Sequence, residues 1–268
     1  MKLQEVREKW VNKEINKCAS ENLWDSMADG FREFNIPTEK DSLFIKVIKE
    51  NDLINENDSV LDIGCGAGKY SIAIADKCKD VTGIDISSKM IQFAKEKAHE
   101  FKKNNINFIK EDWENLDLDK FEKSFDVVFA HMTPAINSAE TFEKMIKASK
   151  RTCIMCKPTR RTDSIADKIK NMLNIDDSYG DLDEKLLYAF EILWLRGYSP
   201  YIEYENQVWD IKRPIDKAKE IYTNKIKLSK NITSQEEDNI HNYLNQIAKD
   251  GFVYEKVSTT IAMLYWNV

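Results

Sequence analysis

Three of the chain's eight glycines stand within five residues, at Gly64, Gly66 and Gly68. They follow the apolar run Ser59-Val60-Leu61-Asp62-Ile63. They precede Lys69 to Lys77, where Tyr70, Ile72, Ala73 and Ile74 are spaced as the apolar members of a helix. A short buried strand therefore runs into a turn and out into a helix. Glycines in such a turn permit positive φ and let a ligand come close to the main chain. The helix start behind them has free N–H groups. Asp85 comes 21 residues after Gly64, at the end of the apolar run Val81 to Ile86. An acid at that spacing and strand end is placed to accept hydrogen bonds from ribose hydroxyls.

Two ligand classes fit this strand–glycine–helix–strand–acid unit: a dinucleotide, or S-adenosylmethionine. The dinucleotide fingerprint is G-x-G-x-x-G, and its third glycine would fall on Lys69, one residue after Gly68. Asp62 stands two residues before Gly64. A carboxylate there repels a pyrophosphate and attracts a methionine ammonium. The pattern D-x-G-x-G-x-G resembles the first motif of the class I S-adenosylmethionine-dependent methyltransferases.

Further segments carry the same resemblance in order. Gly83-Ile84-Asp85-Ile86-Ser87 resembles the family's second motif, which implies Asp85 on the ribose and Ile86 against the adenine, with Met90 lining that pocket. Glu111-Asp112-Trp113 follows the third strand. There the resemblance implies Asp112 accepting from the adenine amine and Trp113 laying its flat face on the ring. Phe125 to His131 resembles the fourth-strand motif, which ends beside the methyl group at Ala130. The segment from Trp24 to Phe31 is similar to the W-D-x-x-A-x-x-F/Y stretch of small-molecule members (methyltransferase type 11), which lies over the cofactor as a lid. The implied cofactor is S-adenosyl-L-methionine, leaving as S-adenosyl-L-homocysteine. Asp62, Gly64, Gly66 and Gly68 would hold its methionine end. Taken singly, Asp85 reads as a helix cap, Met90 as core, and Trp113 as packing no less than contact.

The rest of the chain fits that frame. From residue 59, strands at 59–63, 81–86, 106–110, 125–130 and 152–157 alternate with helices at 69–77, 89–103 and 139–149. Alternation of this kind implies a parallel sheet with helices on both faces. Continuous apolar strands agree with burial on both sides. The expected fold is α/β: a Rossmann-like, doubly wound, seven-stranded and mostly parallel sheet with an antiparallel last strand. Residues 1–40 read as an N-terminal helical lid, with Leu3, Val6, Trp10 and Ile15 at helical spacing, and 41–158 as the cofactor-binding core. Residues 159–250 read as an inserted cap, with one sheet strand near 201–211, and 251–268 as C-terminal strands or one strand bent at Ser258-Thr259. Asp41-Ser42 stands where a cap precedes Phe44, Ile45, Val47 and Ile48.

Ligands of open α/β sheets sit outside the carboxyl ends of the strands. His131 and Thr133 leave the fourth strand there and are the candidates for chemistry. An imidazole with an ordinary pKa near 6.5 would serve as a base at neutral pH, and a threonine hydroxyl would position an acceptor. The alternative for each is a structural role in a Pro-containing turn. Arg160 and Arg161 follow the fifth strand and would suit a substrate carboxylate or phosphate. Cys153 and Cys156, three apart in a strand, face opposite sides and make no metal site. No metal is expected. Tyr179, Tyr188, Phe190, Trp194, Tyr198, Tyr201 and Tyr204 are available to a cap or an acceptor pocket.

The expected activity is methyl transfer to an O, N or S atom of a small molecule. The His-Met-Thr-Pro stretch at 131–134 lacks the Asn/Asp-Pro-Pro-aromatic sequence of amine-modifying nucleic-acid members. The net charge, 40 − 46 = −6, argues against nucleic acid, although residues 212–230 carry a local +5. RNA or tRNA methylation is the runner-up, ahead of an NAD-dependent oxidoreductase or a non-catalytic cofactor-binding protein. Five scattered cysteines point to a reducing cytoplasm, and no apolar run is long enough for a membrane helix.

Overall fold

A computed structural model describes residues 2–12, 17–118, 121–175, 180–228 and 230–268, without the side chains of residues 17–19, 180 and 181. Ile15, Tyr179 and the Cys18 side chain lie outside them. The apolar runs become β1 (Ser59–Ile63), β2 (Asp80–Asp85), β3 (Ile106–Lys110), β4 (Phe125–His131), β5 (Ser149–Asp163), β6 (Tyr201–Pro214) and β7 (Phe252–Asn267). They form one sheet in the order β3-β2-β1-β4-β5-β7-β6. Strands β1 to β5 pair in parallel, and β7 lies antiparallel between β5 and β6. The expected sheet is therefore present. Its strand order reverses between β1 and β4, which opens a crevice at their carboxyl ends.

Helices α1 (Leu3–Lys9), α7 (Ala139–Ala148) and α9 (Gly180–Leu195) cover one face around Trp10, Phe142, Ile192, Leu193 and Trp266. Helix α4 (Leu43–Glu50) covers the other face, with α5 (Lys69–Ile74) and α6 (Ser88–Glu100) beside it. Phe44, Ile45, Val47 and Ile48 form the buried stripe of α4, each worth roughly 1.5–3 kcal/mol over exposure. Of the two expected caps, Ser42 accepts from Ile45 N, while Asp41 instead accepts from Thr38 N at 2.6 Å. Cys153 packs on the α7 face and Cys156 on the α4 face.

Four expectations need redrawing. Strand β5 was expected to end at Lys157 but runs on to Asp163, past its last pairing with β4 at His131↔Cys156. A register shift between Thr159 and Thr162 carries it across Arg160, whose φ is +46°. Strands β5, β7 and β6 thus rise together beyond the crevice as a ribbon. Strand β7 is continuous through Ser258-Thr259: Ala262 to Trp266 are buried on both sides, whereas burial alternates from Val253 to Ile261. The division at 159–250 also shifts. Leu186, Ala189, Ile192 and Leu193 of α9 belong to the main core, and β6 is a full sheet strand. The added part is α8 (Ala166–Met172), α10 (Ile215–Lys227) and α11 (Ser234–Ile247), which share a separate core of Ile169, Tyr222, Ile226, Ile240, Leu244 and Val253. Within 1–40, α1 is likewise core: Val6 and Trp10 are buried, and Ala139 N donates to Trp10 O at 2.9 Å. Only α2 (Lys17–Met27) and α3 (Asp29–Arg32) stand near the crevice.

Candidate functional site

The glycine turn hangs from the end of β2, where Gly64 N and Cys65 N both donate to Ile84 O at 2.8 and 2.9 Å. Gly64, Gly66 and Gly68 have φ of +69°, +53° and +82°. Gly64 also faces the loop after β4: a Cβ there would sit 2.0 Å from Thr133 Oγ1. A Cβ on Gly68 would strike the Phe108 ring at 2.7 Å, so helix α5 packs on β3 only without one. At Gly66 a Cβ would meet just Met90 Sδ, at 4.0 Å. That is the glycine with room beside it.

Two acids flank the turn. Asp62 is 2 % exposed, and the Ser71 hydroxyl donates to its Oδ2 at 2.6 Å. Burial pushes its carboxyl up to about 7; the Ser71 bond opposes this and the Asp85 charge adds to it. Asp85 accepts from Gly66 N and Ser87 N, both at 2.9 Å. Burial raises its pKa against the pull of those two N–H groups, and Asp25 raises it further. Among the described residues neither acid has a cationic partner. A buried carboxylate held up in this way lacks a countercharge. The site therefore suits a ligand with an ammonium for Asp62 and hydroxyls for Asp85, which is the donor chemistry of an adenosyl amino acid.

Helix α2 closes over this turn. Asp25 accepts from the Ser87 hydroxyl, which caps α6, and from Lys89 N at 3.4 Å. Trp24 packs against the cluster of Ala28, Ala67, Met90 and Phe93. Phe31 lies 6.4 Å from Trp24 but is 45 % exposed, so its ring covers little. Ile86 is half-buried after β2. Helix α10 packs on α2, and an open cleft of about 450 Å³ beside them is lined by Asn22, Asp25, Ser26, Lys89, Lys217, Glu220 and Asn224.

Other candidates sit differently from expectation. Trp113 is 2 % exposed, its indole N–H donates to Thr141 O at 3.1 Å, and Lys144 Nζ lies 5.0 Å over its ring. Its face is spent on packing, which corrects the expected adenine platform. Asp112 accepts from Glu114 N and from the Asn115 amide, so both oxygens hold a tight turn. Ala130 is buried on the α7 face of β4. His131 lies in an aromatic group, its ring 3.8 Å from that of Tyr70 and 5.1 Å from that of Phe44. Desolvation, with Lys69 adding to it, pulls its pKa down to about 3. The expected base near 6.5 is thus a neutral imidazole that resists a proton. Thr133 is buried, and its Oγ1 accepts from Ala135 N at 3.1 Å, as a turn residue does. Arg160 is exposed, and its main-chain N donates to Asp183 at 2.9 Å. Arg161 stacks 5.6 Å over Trp209 on β6.

Some contributors escaped the sequence reading. Ser71 faces Asp62 from the first turn of α5; a hydroxyl just after the glycine turn was the available signal. Lys157 is buried and donates to Thr133 O at 2.7 Å, fixing the loop after β4. Met132, in that loop, holds φ of +54°, a conformation that non-glycine residues keep only where neighbours enforce it.

A family profile described as "Methyltransferase domain" matches residues 54–191. The chain belongs to this methyltransferase family. The family's cofactor is S-adenosylmethionine, leaving as S-adenosylhomocysteine, and the two acids and the glycine turn fit it. Among curated relatives, YqeM of Bacillus subtilis, a methyltransferase by name, is 28% identical over 142 residues, 51% of this chain and 54% of that protein. A Methanosphaera stadtmanae protein named as a ribosomal RNA small subunit methyltransferase is 30% identical over 111 residues, 41% of this chain and 40% of its own. The chain spans about half the length of the curated relatives it matches. Among solved structures, YcgJ of Bacillus subtilis aligns with a TM-score of 0.50 at 17% identity, covering 83% of this chain and 96% of that one. A Galdieria sulphuraria protein named as a sarcosine dimethylglycine methyltransferase aligns at 0.50 and 15% identity, covering 92% and 98%. Likeness at such identity is one of fold.

Proposed function

We propose that this chain transfers a methyl group from S-adenosylmethionine to an O, N or S atom of a small-molecule acceptor by in-line displacement. One observation carries the acceptor class. An open cleft of metabolite size, about 450 Å³, lies where α2 meets α10, beside the Asp25 that holds Ser87 just beyond the end of β2. The basic run of 212–230 supports the same reading, because its charges are largely spent within the chain. Arg213 bonds Glu255, Lys217 bonds Glu220, Lys225 bonds Asp163, Lys227 bonds Glu237 and Lys230 bonds Glu236. Nucleic-acid binding draws on cations free to displace counterions from phosphates.

The sulfonium supplies both the methyl group and the leaving group, so the protein's work is binding, alignment and exclusion of water. In this reading Asp62 takes the ammonium, and Gly64, Gly66 and Gly68 let the methionine end approach the main chain. Asp85 takes the ribose, Ile86 and Met90 wall the adenosyl group, and Trp24 closes it in. Asp112 reaches an adenine amine by releasing Asn115. The loop after Ala130 shapes the acceptor side, with Thr133 as its wall. His131, held neutral, orients the acceptor by hydrogen bonding instead of taking its proton. Arg161, with Arg160 beside it, is left for an anionic group on the acceptor.

The test is incubation with methyl-labelled cofactor against a small-molecule extract and, separately, total RNA. Label in a low-mass product supports the reading. Label in RNA alone overturns the acceptor class and favours the function named for the Methanosphaera relative.

A further inference from the structure

Strand β6 is the outermost strand of the sheet and runs for 14 residues. At about 3.3 Å per residue it offers an open edge of roughly 45 Å. Edges of this length are normally blunted by proline, bulges or short strands. Here β6 pairs with β7 at every residue from Tyr201 to Pro214 without a register shift, and its one proline is the last residue. Apolar side chains stand out along it: Tyr201, Tyr204 and Val208 are 63%, 59% and 57% exposed. An open, straight and partly apolar edge is a template for another strand.

The charges along β6 say which strand. Its first half carries Glu203 and Glu205, and its last residues include Lys212 and Arg213. An antiparallel copy of the same strand, turned about a two-fold axis at Val208, meets opposite charge at both ends. In that register Glu203 faces Arg213, Asn206 faces Asp210, Tyr204 faces Lys212, and Val208 faces its own copy. Arg213 gives Nε to Glu255 and its side chain is 16% exposed, and a guanidinium with five N–H donors can take a second carboxylate. Such a contact is self-complementary, as a two-fold interface must be. Moving the axis to Gln207 would set Glu203 against Ile211 and Tyr201 against Arg213, and the charge match is lost.

We propose that two copies of this chain pair through β6 in that register, joining their sheets into one of fourteen strands, twice the seven of a single chain. The partner is a second copy, and the inference stands apart from the methyl-transfer reading. Residues directly opposite in an antiparallel pair have Cα atoms about 4.5–5.5 Å apart, within reach of a disulfide. Cys65, Cys78, Cys153 and Cys156 are buried, and the fifth cysteine, Cys18, is replaced by Ser in the test.

The experiment is sedimentation of the full chain across the micromolar range, with mild oxidation of two variants that each add one cysteine to a Cys18→Ser background. The wild type is expected at twice the 31.3 kDa chain mass. Val208→Cys is expected to form a covalent dimer, and Asp210→Cys, which faces Asn206, is not. Val208→Asp, at an exposed position, should halve the mass while circular dichroism shows the fold retained. If that variant does not fold, the cysteine pair decides. A monomeric wild type, or equal cross-linking at 208 and 210, overturns the proposal.

Discussion

Replacing Asp62 with Asn tests the electrostatics of the site without the cofactor. The carboxyl has a pKa of about 7 in the fold against 3.8 in its absence. The native state therefore holds a proton that the unfolded chain releases between pH 3.8 and 7. Stability contributed by this group is full below pH 3.8, falls as pH rises, and is gone above about 7. A shift of about 3 units at 1.36 kcal/mol each is about 4 kcal/mol. Asn cannot ionise yet still accepts from Ser71, so Asp62→Asn should gain about 4 kcal/mol on the wild type between pH 4 and pH 8. The wild-type curve alone would hide this. His131 has its pKa lowered from 6.5 to about 3, so its contribution rises with pH over nearly the same window. Urea unfolding of both proteins at each pH, read as the difference, removes the His131 term they share. A difference that stays level from pH 4 to 8 would refute the idea of a buried carboxylate lacking a countercharge. The same variant should lose S-adenosylhomocysteine affinity at pH 8, where only the wild type carries the charge. Wild-type affinity should fall about tenfold per pH unit below 7.

Other outcomes follow from the same geometry. Asp85→Ala removes the acceptor for Gly66 N and Ser87 N together with the ribose contact, and calorimetry should find S-adenosylhomocysteine binding weaker by about 2–3 kcal/mol, roughly 30- to 150-fold. Gly64→Ala drives a Cβ into Thr133 Oγ1 and strains a positive φ, so denaturant unfolding should show a loss of about 1–3 kcal/mol. Adding Thr133→Gly, which removes the Thr133 Cβ at 2.6 Å as well as its Oγ1, should restore the steric part of that loss, and strict additivity of the two changes would show that the contact is absent. For His131, kcat/KM against pH should lack an ascending limb near 6.5, because the imidazole is already neutral there. A limb at 6.5 that disappears in His131→Gln would return it to the role of base.

How far the sequence could be read depended on where each answer lay along the chain. The glycine turn and the strands at 60–63, 81–85 and 125–131 were legible because their signals are local: continuous apolar runs, glycine spacing and an acid at a strand end. The placement of Asp62 and Asp85 beside the turn was legible for the same reason. Trp113 was not, since an aromatic residue after a strand can turn to a ligand or to the core. The choice was made by Thr141 O, 28 residues on. The stretch from Lys157 to Arg161 reads as a loop because it holds three cations and a proline. It becomes strand only through β7, about a hundred residues later. Helix α9 looks like a cap element until Trp10 and Trp266, at the two ends of the chain, take up its apolar side. The proton affinity of His131 was out of reach because Phe44, Tyr70 and Lys69, which set it, come from other parts of the chain.

The rising ribbon has a consequence for traffic through the site. Strand β5 lies under the crevice at Cys156 and beside α8 at Asp163, and it pairs with β7 on both sides of the bulge at Arg160. The wall behind the acceptor is thus tied to the same neighbouring strand as the platform below it. Freedom to open lies on the opposite side, where α2 packs on α10 without a shared strand ladder, so the site would open like a drawer at its front and not like a box at its hinge.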